Sequence, residues 1–145
     1  MPHYPYSLPI TVAFRDLDAL GHVNNAVYLT YFEHARIGYG LRLIGSDSLR
    51  DLAFIVAEAT VTYLRPAYYG DELEVGARIT EIGTKSFVME YGLWRRADGE
   101  LIARGRTVQV WYNYAAGRSE RVPDAFRAAV ARDNARVPPQ DAPQS

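Results

Sequence analysis

The chain has 145 residues, of which 48% are hydrophobic and 23% charged, and its formal net charge is -1. That is the size and balance of one globular unit with its own core. The near-neutral charge offers no basic excess to hold a nucleic-acid backbone, and the lack of cysteine excludes disulfides, thiolate metal sites and a cysteine nucleophile. No window approaches the ~18 apolar residues of a membrane helix. Met1-Pro2-His3-Tyr4-Pro5-Tyr6 has no charged-then-apolar leader pattern, so a cytoplasmic protein with no membrane partner is expected.

Alternation of Ile10, Val12 and Phe14 against Thr11 and Ala13 predicts a first strand from Leu8 to Phe14. A helix is expected to start near Asn25, a good N-cap, and to carry Tyr28, Tyr31, Phe32, Ala35 and Tyr39 as one apolar stripe. Gly38 and Gly40 weaken that helix locally but permit close packing on a sheet, and Gly45 closes it. From residue 54 the period becomes two. Ala57, Ala59, Val61 and Tyr63 oppose Val56, Glu58, Thr60 and Thr62, and Pro66 ends the strand. Leu73, Val75, Ala77 and Ile79 make the next inner face, and Phe87, Met89, Tyr91 and Leu93 the one after. Asp98-Gly99 favours a tight hairpin into a long strand from about Leu101 to Tyr114. Pro123 to Arg136 reads as a terminal helix. The expected domain covers residues 1–136, with residues 137–145 a loose tail. One long helix among antiparallel strands gives an α+β fold, the strands after residue 54 forming a meander around the helix.

Residues 15–36 hold the chemistry. A strand-like segment ends in Asp16 and Asp18, a polar turn with Gly21 follows, and then the helix starts. A carboxylate and unsatisfied helix-start N–H groups therefore come within reach of one point, which is what attack on a carbonyl requires. Asp16 and Asp18, at i and i+2, would point the same way on a strand. His3, His22 and His34 are too scattered for an obvious metal cluster, although Asp18 and His22 have a spacing at which two ligands could meet. No metal or redox cofactor is expected.

The run Arg15-Asp16-Leu17-Asp18-Ala19-Leu20-Gly21-His22-Val23-Asn24-Asn25, continued by Tyr28, Tyr31, Glu33 and Arg36, resembles the hotdog-fold acyl-CoA thioesterases of the 4-hydroxybenzoyl-CoA thioesterase type. The order of elements extends the likeness over about residues 8–115. The resemblance implies a hotdog fold, a long central helix wrapped by a five- or six-stranded antiparallel sheet. It also implies subunits paired edge to edge as a homodimer or homotetramer, with the active site between them.

By the same resemblance Asp18 is the catalytic carboxylate, acting as nucleophile or as general base toward water. Asn25 supplies the polarising amide, and Gly21, Val23 and Asn24 complete the oxyanion region. Asn24 and Asn25 are equally natural turn and cap residues, and an aspartate before a helix is commonly a cap. His22 is placed to orient the acyl group or the water. Tyr28, Tyr31 and Phe32 line either the core or the acyl pocket, and Glu33 with Arg36 reads as a structural ion pair. The resemblance puts the coenzyme A contacts on Tyr63-Leu64-Arg65-Pro66 and near Gly83-Thr84-Lys85-Ser86, where Arg65 and Lys85 can meet phosphates. The expected reaction is hydrolysis of an acyl or aroyl thioester, coenzyme A being part of the substrate. The alternatives are a thioesterase for acyl-carrier-protein substrates, a non-catalytic hotdog protein that binds acyl thioesters, and a dehydratase using Glu33 and His22.

Overall fold

The computed structural model describes residues 3–138. Its elements are β1 (Tyr6–Thr11), α1 (Val27–Ile44), β2 (Phe54–Tyr63), β3 (Glu72–Ile82), β4 (Ser86–Arg95), β5 (Leu101–Asn113), β6 (Arg118–Ser119) and α2 (Asp124–Arg136). The strands form one antiparallel sheet in the order β1-β3-β4-β5-β2, with β6 paired to the end of β5. The expected α+β hotdog architecture is what the chain adopts. The meander holds for β3, β4 and β5. β2 departs from it: the connection 64–71 is no tight hairpin, and β2 lies against β5 at the far edge.

The stripe on α1 packs as its period dictates. Tyr28, Tyr31, Phe32, Ala35 and Tyr39 are all buried, facing Leu73, Val75, Ala77 and Ile79 of β3 and Phe87, Met89, Tyr91 and Leu93 of β4. Phe32 stacks on Tyr91 with ring centroids 4.9 Å apart. That approach requires Gly105 on β5, because a Cβ there would sit 2.6 Å from the Phe32 ring. Gly40 gives Phe54 the same clearance, so helix glycines do permit close packing. Gly45, at φ 72°, ends α1, and the Ser46 N–H returns to the Leu41 carbonyl.

Three local expectations are corrected. The first strand stops at Thr11, and Phe14 points outward at 77% exposure. The cause is Asp16, whose Oδ2 accepts the Ala13 N–H at 2.9 Å and closes a 3-10 turn over Phe14–Asp16. α1 begins at Val27 rather than near Asn25, because Asn24 does the capping: its Oδ1 accepts the Ala26 N–H and its carbonyl the Val27 N–H, both at 2.9 Å. On β2 a bulge at Ala57 shifts the register, so the inner face reads Phe54, Val56, Ala59, Val61 and Tyr63. Most of β2 stays exposed, with only Phe54 and Val61 partly covered.

α2 closes the other end. Phe126 joins Trp111, Phe87 and Phe54 in an aromatic cluster. Asp133 accepts the Tyr39 hydroxyl at 2.8 Å and pairs with Arg42 and Arg136. The buried Arg78 guanidinium donates to the carbonyls of His3 and Val137. The rest of the expected tail, residues 139–145, lies outside the described residues. Among the described residues no helix is long and apolar enough to cross a membrane.

Candidate active site

Two loops are stitched together at the start of α1. The Val12 N–H donates to the Asp71 carbonyl and the Gly70 N–H to that of Val12. The Val23 N–H reaches the Ala67 carbonyl at 2.8 Å and the Asn24 N–H that of Asp16 at 2.9 Å. Isolated bridges join Leu17 to Val23 and His22 to Tyr68. The Asp18 turn is thus braced on both sides.

Gly21 has φ 86°, a left-handed conformation that costs glycine little. It lets the Gly21 N–H close on the Asp18 carbonyl at 3.1 Å while the Asp18 N–H donates to the His22 carbonyl at 2.9 Å. Asp18 Oδ1 accepts the Leu20 N–H at 2.8 Å, which fixes the carboxylate. Its Oδ2 lies 3.5 Å from His22 Nδ1, with the two side chains 26% and 33% exposed respectively. The structure therefore brings Asp18 and His22 together at a half-open position, one carboxylate oxygen held and the other presented.

The expected set of N–H donors narrows. The amides of Gly21, Val23 and Asn24 are all consumed in holding the loops, so none of them can bind an oxyanion. The Asn25 N–H donates to no acceptor among the described residues. Its own carbonyl accepts the Tyr63 hydroxyl at 2.8 Å. Tyr63 ends β2 and packs edge-on against Tyr28, ring centroids 5.1 Å apart. Burial chiefly pushes the Tyr28 hydroxyl pKa upward, which keeps it protonated. The sequence placed Tyr63 on the alternating face of its strand and at the start of a coenzyme A segment. Its tie to Asn25 depends on β2 crossing to the edge beside the helix start, which no local pattern encodes.

Asp16 is tied into the loop by hydrogen bonds. Its Oδ2 accepts both the Ala13 N–H and the Tyr31 hydroxyl, the latter at 2.8 Å. Burial and that bond together hold the Tyr31 hydroxyl well above the usual phenol range. Glu33 and Arg36 form the expected pair at 3.7 Å, and Arg36 continues to the Tyr91 hydroxyl, itself 2.7 Å from Thr107. No contact among the described residues links Glu33 with His22.

Arg65 lies in the connection beside the site, paired with Glu100 at 2.8 Å. Lys85 is elsewhere. It sits in the β3–β4 turn, where its carbonyl accepts the Trp111 N–H. The eleven residues of β3 separate that turn from the Asp18 loop by roughly 35 Å. Within one chain Lys85 and Asp18 cannot share a ligand contact. No group of three or more metal-ligating side chains occurs among the described residues.

Comparison with known proteins gives a consistent picture. Residues 12–130 match the thioesterase-like superfamily. A thioesterase from Thermus thermophilus, solved in complex with coenzyme A and Zn, is 41% identical with a TM-score of 0.85, covering 93% of this chain and 98% of that one. The long-chain acyl-CoA thioesterase FadM of Escherichia coli K12 is 33% identical over 99 residues, 65% of this chain and 73% of FadM. The acyl-CoA thioesterase YbgC of Haemophilus influenzae is 33% identical over 110 residues, 72% of this chain and 78% of YbgC.

Proposed function

The chain belongs to the thioesterase-like superfamily, and from that premise we propose that it is an acyl-CoA thioesterase in which Asp18 drives the hydrolysis and the Asn25 N–H holds the oxyanion. One observation carries this reading. The same braced loop presents a half-exposed carboxylate oxygen and an unspent amide hydrogen at the start of α1.

The chemistry follows from those two groups. Asp18 Oδ2 attacks the thioester carbonyl, or takes a proton from a water that does. Charge then develops on the carbonyl oxygen, and a fixed N–H with no other partner stabilises it without reorganising. The first turn of α1 adds a partial positive charge there. In the water route collapse of the intermediate breaks the C–S bond, releasing the carboxylic acid, and the leaving thiolate takes the proton that Asp18 removed from water. In the direct route C–S cleavage leaves an acyl–Asp18 anhydride, which a water molecule then hydrolyses to the acid and the free carboxylate. His22 Nδ1, facing Asp18, orients the carboxylate and the water.

β2 supports a paired assembly. It is an edge strand of ten residues that is mostly exposed, with Ile55, Val56 and Tyr63 on it and Leu64 just beyond it open to solvent. Such an edge calls for a partner. Antiparallel pairing of two β2 strands about a two-fold axis sets the Phe54 end of one beside the Tyr63 end of the other. Phe54 pairs with Trp111, which binds the Lys85 carbonyl. Lys85 of the partner subunit then approaches the Asp18 loop, where it meets a coenzyme A phosphate together with Arg65.

The test is thiol release from a panel of aliphatic and aroyl acyl-CoA thioesters, with carrier-protein thioesters of the same acyl groups in parallel. Turnover of coenzyme A substrates is expected. Preference for the carrier forms would reassign the substrate, and no turnover of any thioester would leave a binding protein.

A further inference from the structure

Asp18 and His22 leave a gap of defined size. Asp18 Oδ1 is spent on the Leu20 N–H at 2.8 Å, while Oδ2 accepts no hydrogen bond among the described residues. His22 Nδ1 stands 3.5 Å from that free oxygen. A charge-assisted bond between such groups runs to about 2.7–2.9 Å, so the two face each other without being joined. Both side chains are open to solvent on one side only.

Neither backbone is free to drift. The Asp18 N–H donates to the His22 carbonyl at 2.9 Å, the Gly21 N–H to the Asp18 carbonyl, and His22 is bridged to Tyr68 of the facing loop. The neighbouring polar side chains are committed elsewhere. Asp16 takes the Tyr31 hydroxyl, Asn24 takes the Ala26 N–H, and the Tyr63 hydroxyl goes to the Asn25 carbonyl. Asp18 Oδ2 and His22 Nδ1 are left as two facing atoms that a third molecule can join.

With its proton on Nε2, an imidazole offers Nδ1 as an acceptor. One water at about 2.8 Å from both atoms then donates one hydrogen to each. Its lone pairs are left facing outward, the orientation that attack on a carbonyl needs. A thioester carbon placed for direct attack must itself come within about 3–3.5 Å of Oδ2. Its three substituents meet the imidazole already standing at 3.5 Å, whereas a single water fits there.

We propose that the attacking water is held between Asp18 Oδ2 and His22 Nδ1, so that Asp18 works as a general base and no acyl–Asp18 anhydride forms. This rests on the thioesterase reading above and chooses between its two routes. The water oxygen bonds to the acyl carbon as one of its protons passes to Asp18 Oδ2. The carbonyl electron pair moves onto the oxygen that faces the Asn25 N–H. Return of that pair breaks the C–S bond, and the leaving thiolate takes the proton from Asp18. His22 keeps the second hydrogen of the water in place, and that hydrogen leaves with the acid.

The experiment runs the unaltered protein in water carrying a heavy oxygen isotope, with its best acyl-CoA substrate from the panel. After many turnovers the peptide that carries Asp18 is read by mass spectrometry. No label is expected in Asp18, and in a single turnover thiol and acid should appear at one rate. Label in Asp18, or a burst of thiol ahead of acid, would reveal the anhydride and overturn the proposal while leaving the thioesterase reading intact. His22→Ala, with folding checked by Tm, should lower kcat about tenfold and hold KM. That is less than the ~10²–10⁴ of a complete general base, because Asp18 remains. His22→Gln, whose side-chain carbonyl can take the same hydrogen, should restore most of the loss. A loss confined to KM, or no loss in His22→Ala, would also overturn the proposal. Failure of the unaltered protein on every thioester would instead refute the thioesterase reading.

Discussion

The Tyr63 hydroxyl donates to the Asn25 carbonyl across 2.8 Å, tying the end of the edge strand to the residue whose N–H is unspent. Tyr63→Phe removes that tie and keeps the ring against Tyr28. Tyr63 does not touch the carbonyl itself, so it acts by positioning. We expect kcat to fall about tenfold, less than the ~10²–10³ for losing an oxyanion donor outright, with KM nearly unchanged. Steady-state kinetics beside a Tm measurement check this. An equal loss in KM alone would place Tyr63 in ground-state binding.

Pairing through β2 assigns each site residues from two subunits. Lys85→Ala should raise KM for acyl-CoA about tenfold, the order expected for one charge-assisted hydrogen bond. Mixed dimers of Asp18→Asn and Lys85→Ala chains would then hold one doubly altered site and one intact site. About half the unaltered activity should return at low substrate. No recovery would mean that Lys85 serves its own chain or no site.

Tyr31 and Asp16 brace the loop through the Tyr31 hydroxyl, which donates to Asp16 Oδ2. Tyr31→Phe takes one of two donors from Asp16 Oδ2 and should cost about 1 kcal/mol. That corresponds to a Tm about 2–4 °C lower for a chain of this size. Thermal unfolding measures it, and a loss of several kcal/mol would imply that the whole loop is released.

Asp133 gives stability a dependence on acid. Partial burial raises its pKa, but Arg136, Tyr39 and Arg42 outweigh burial and hold it below the usual carboxylate value. A depressed folded pKa contributes stability that is present above the unfolded pKa of about 3.9. The contribution disappears as pH falls through the folded value. Asp133→Asn should therefore lower Tm near neutrality and converge with the unaltered protein below about pH 4. Chemical or thermal unfolding from pH 7 to pH 3 tests it. A gap constant over that range would contradict the ionic contribution.

Much of the fold was legible because burial and period coincide. The α1 stripe, the inner faces of β3 and β4, and the Asp98-Gly99 hairpin follow from residue spacing alone, and each is where the pattern puts it. The site was legible only in part. Asp18 beside His22 fits the turn chemistry of Gly21, but the donors did not follow from position. Val23 and Asn24 spend their amides on Ala67 and Asp16, residues brought close only by the tertiary fold. Phe14 continues the strand's alternation perfectly and still points outward, because one side-chain bond from Asp16 ends the strand. The β2 pattern reads as half-buried, yet most of the face it describes is exposed in a single chain. Sequence periodicity marks a face that wants covering and does not say whether the cover belongs to the same chain.

The most direct test of the account is the turnover of Asp18→Asn on an acyl-CoA substrate that the unaltered protein hydrolyses. The substitution preserves shape and can keep the Leu20 bond while removing the negative charge. The account predicts that kcat/KM falls by about 10³ or more, the scale of a lost general base or nucleophile, with Tm little changed. Turnover within threefold of the unaltered rate would contradict it and remove Asp18 from the reaction.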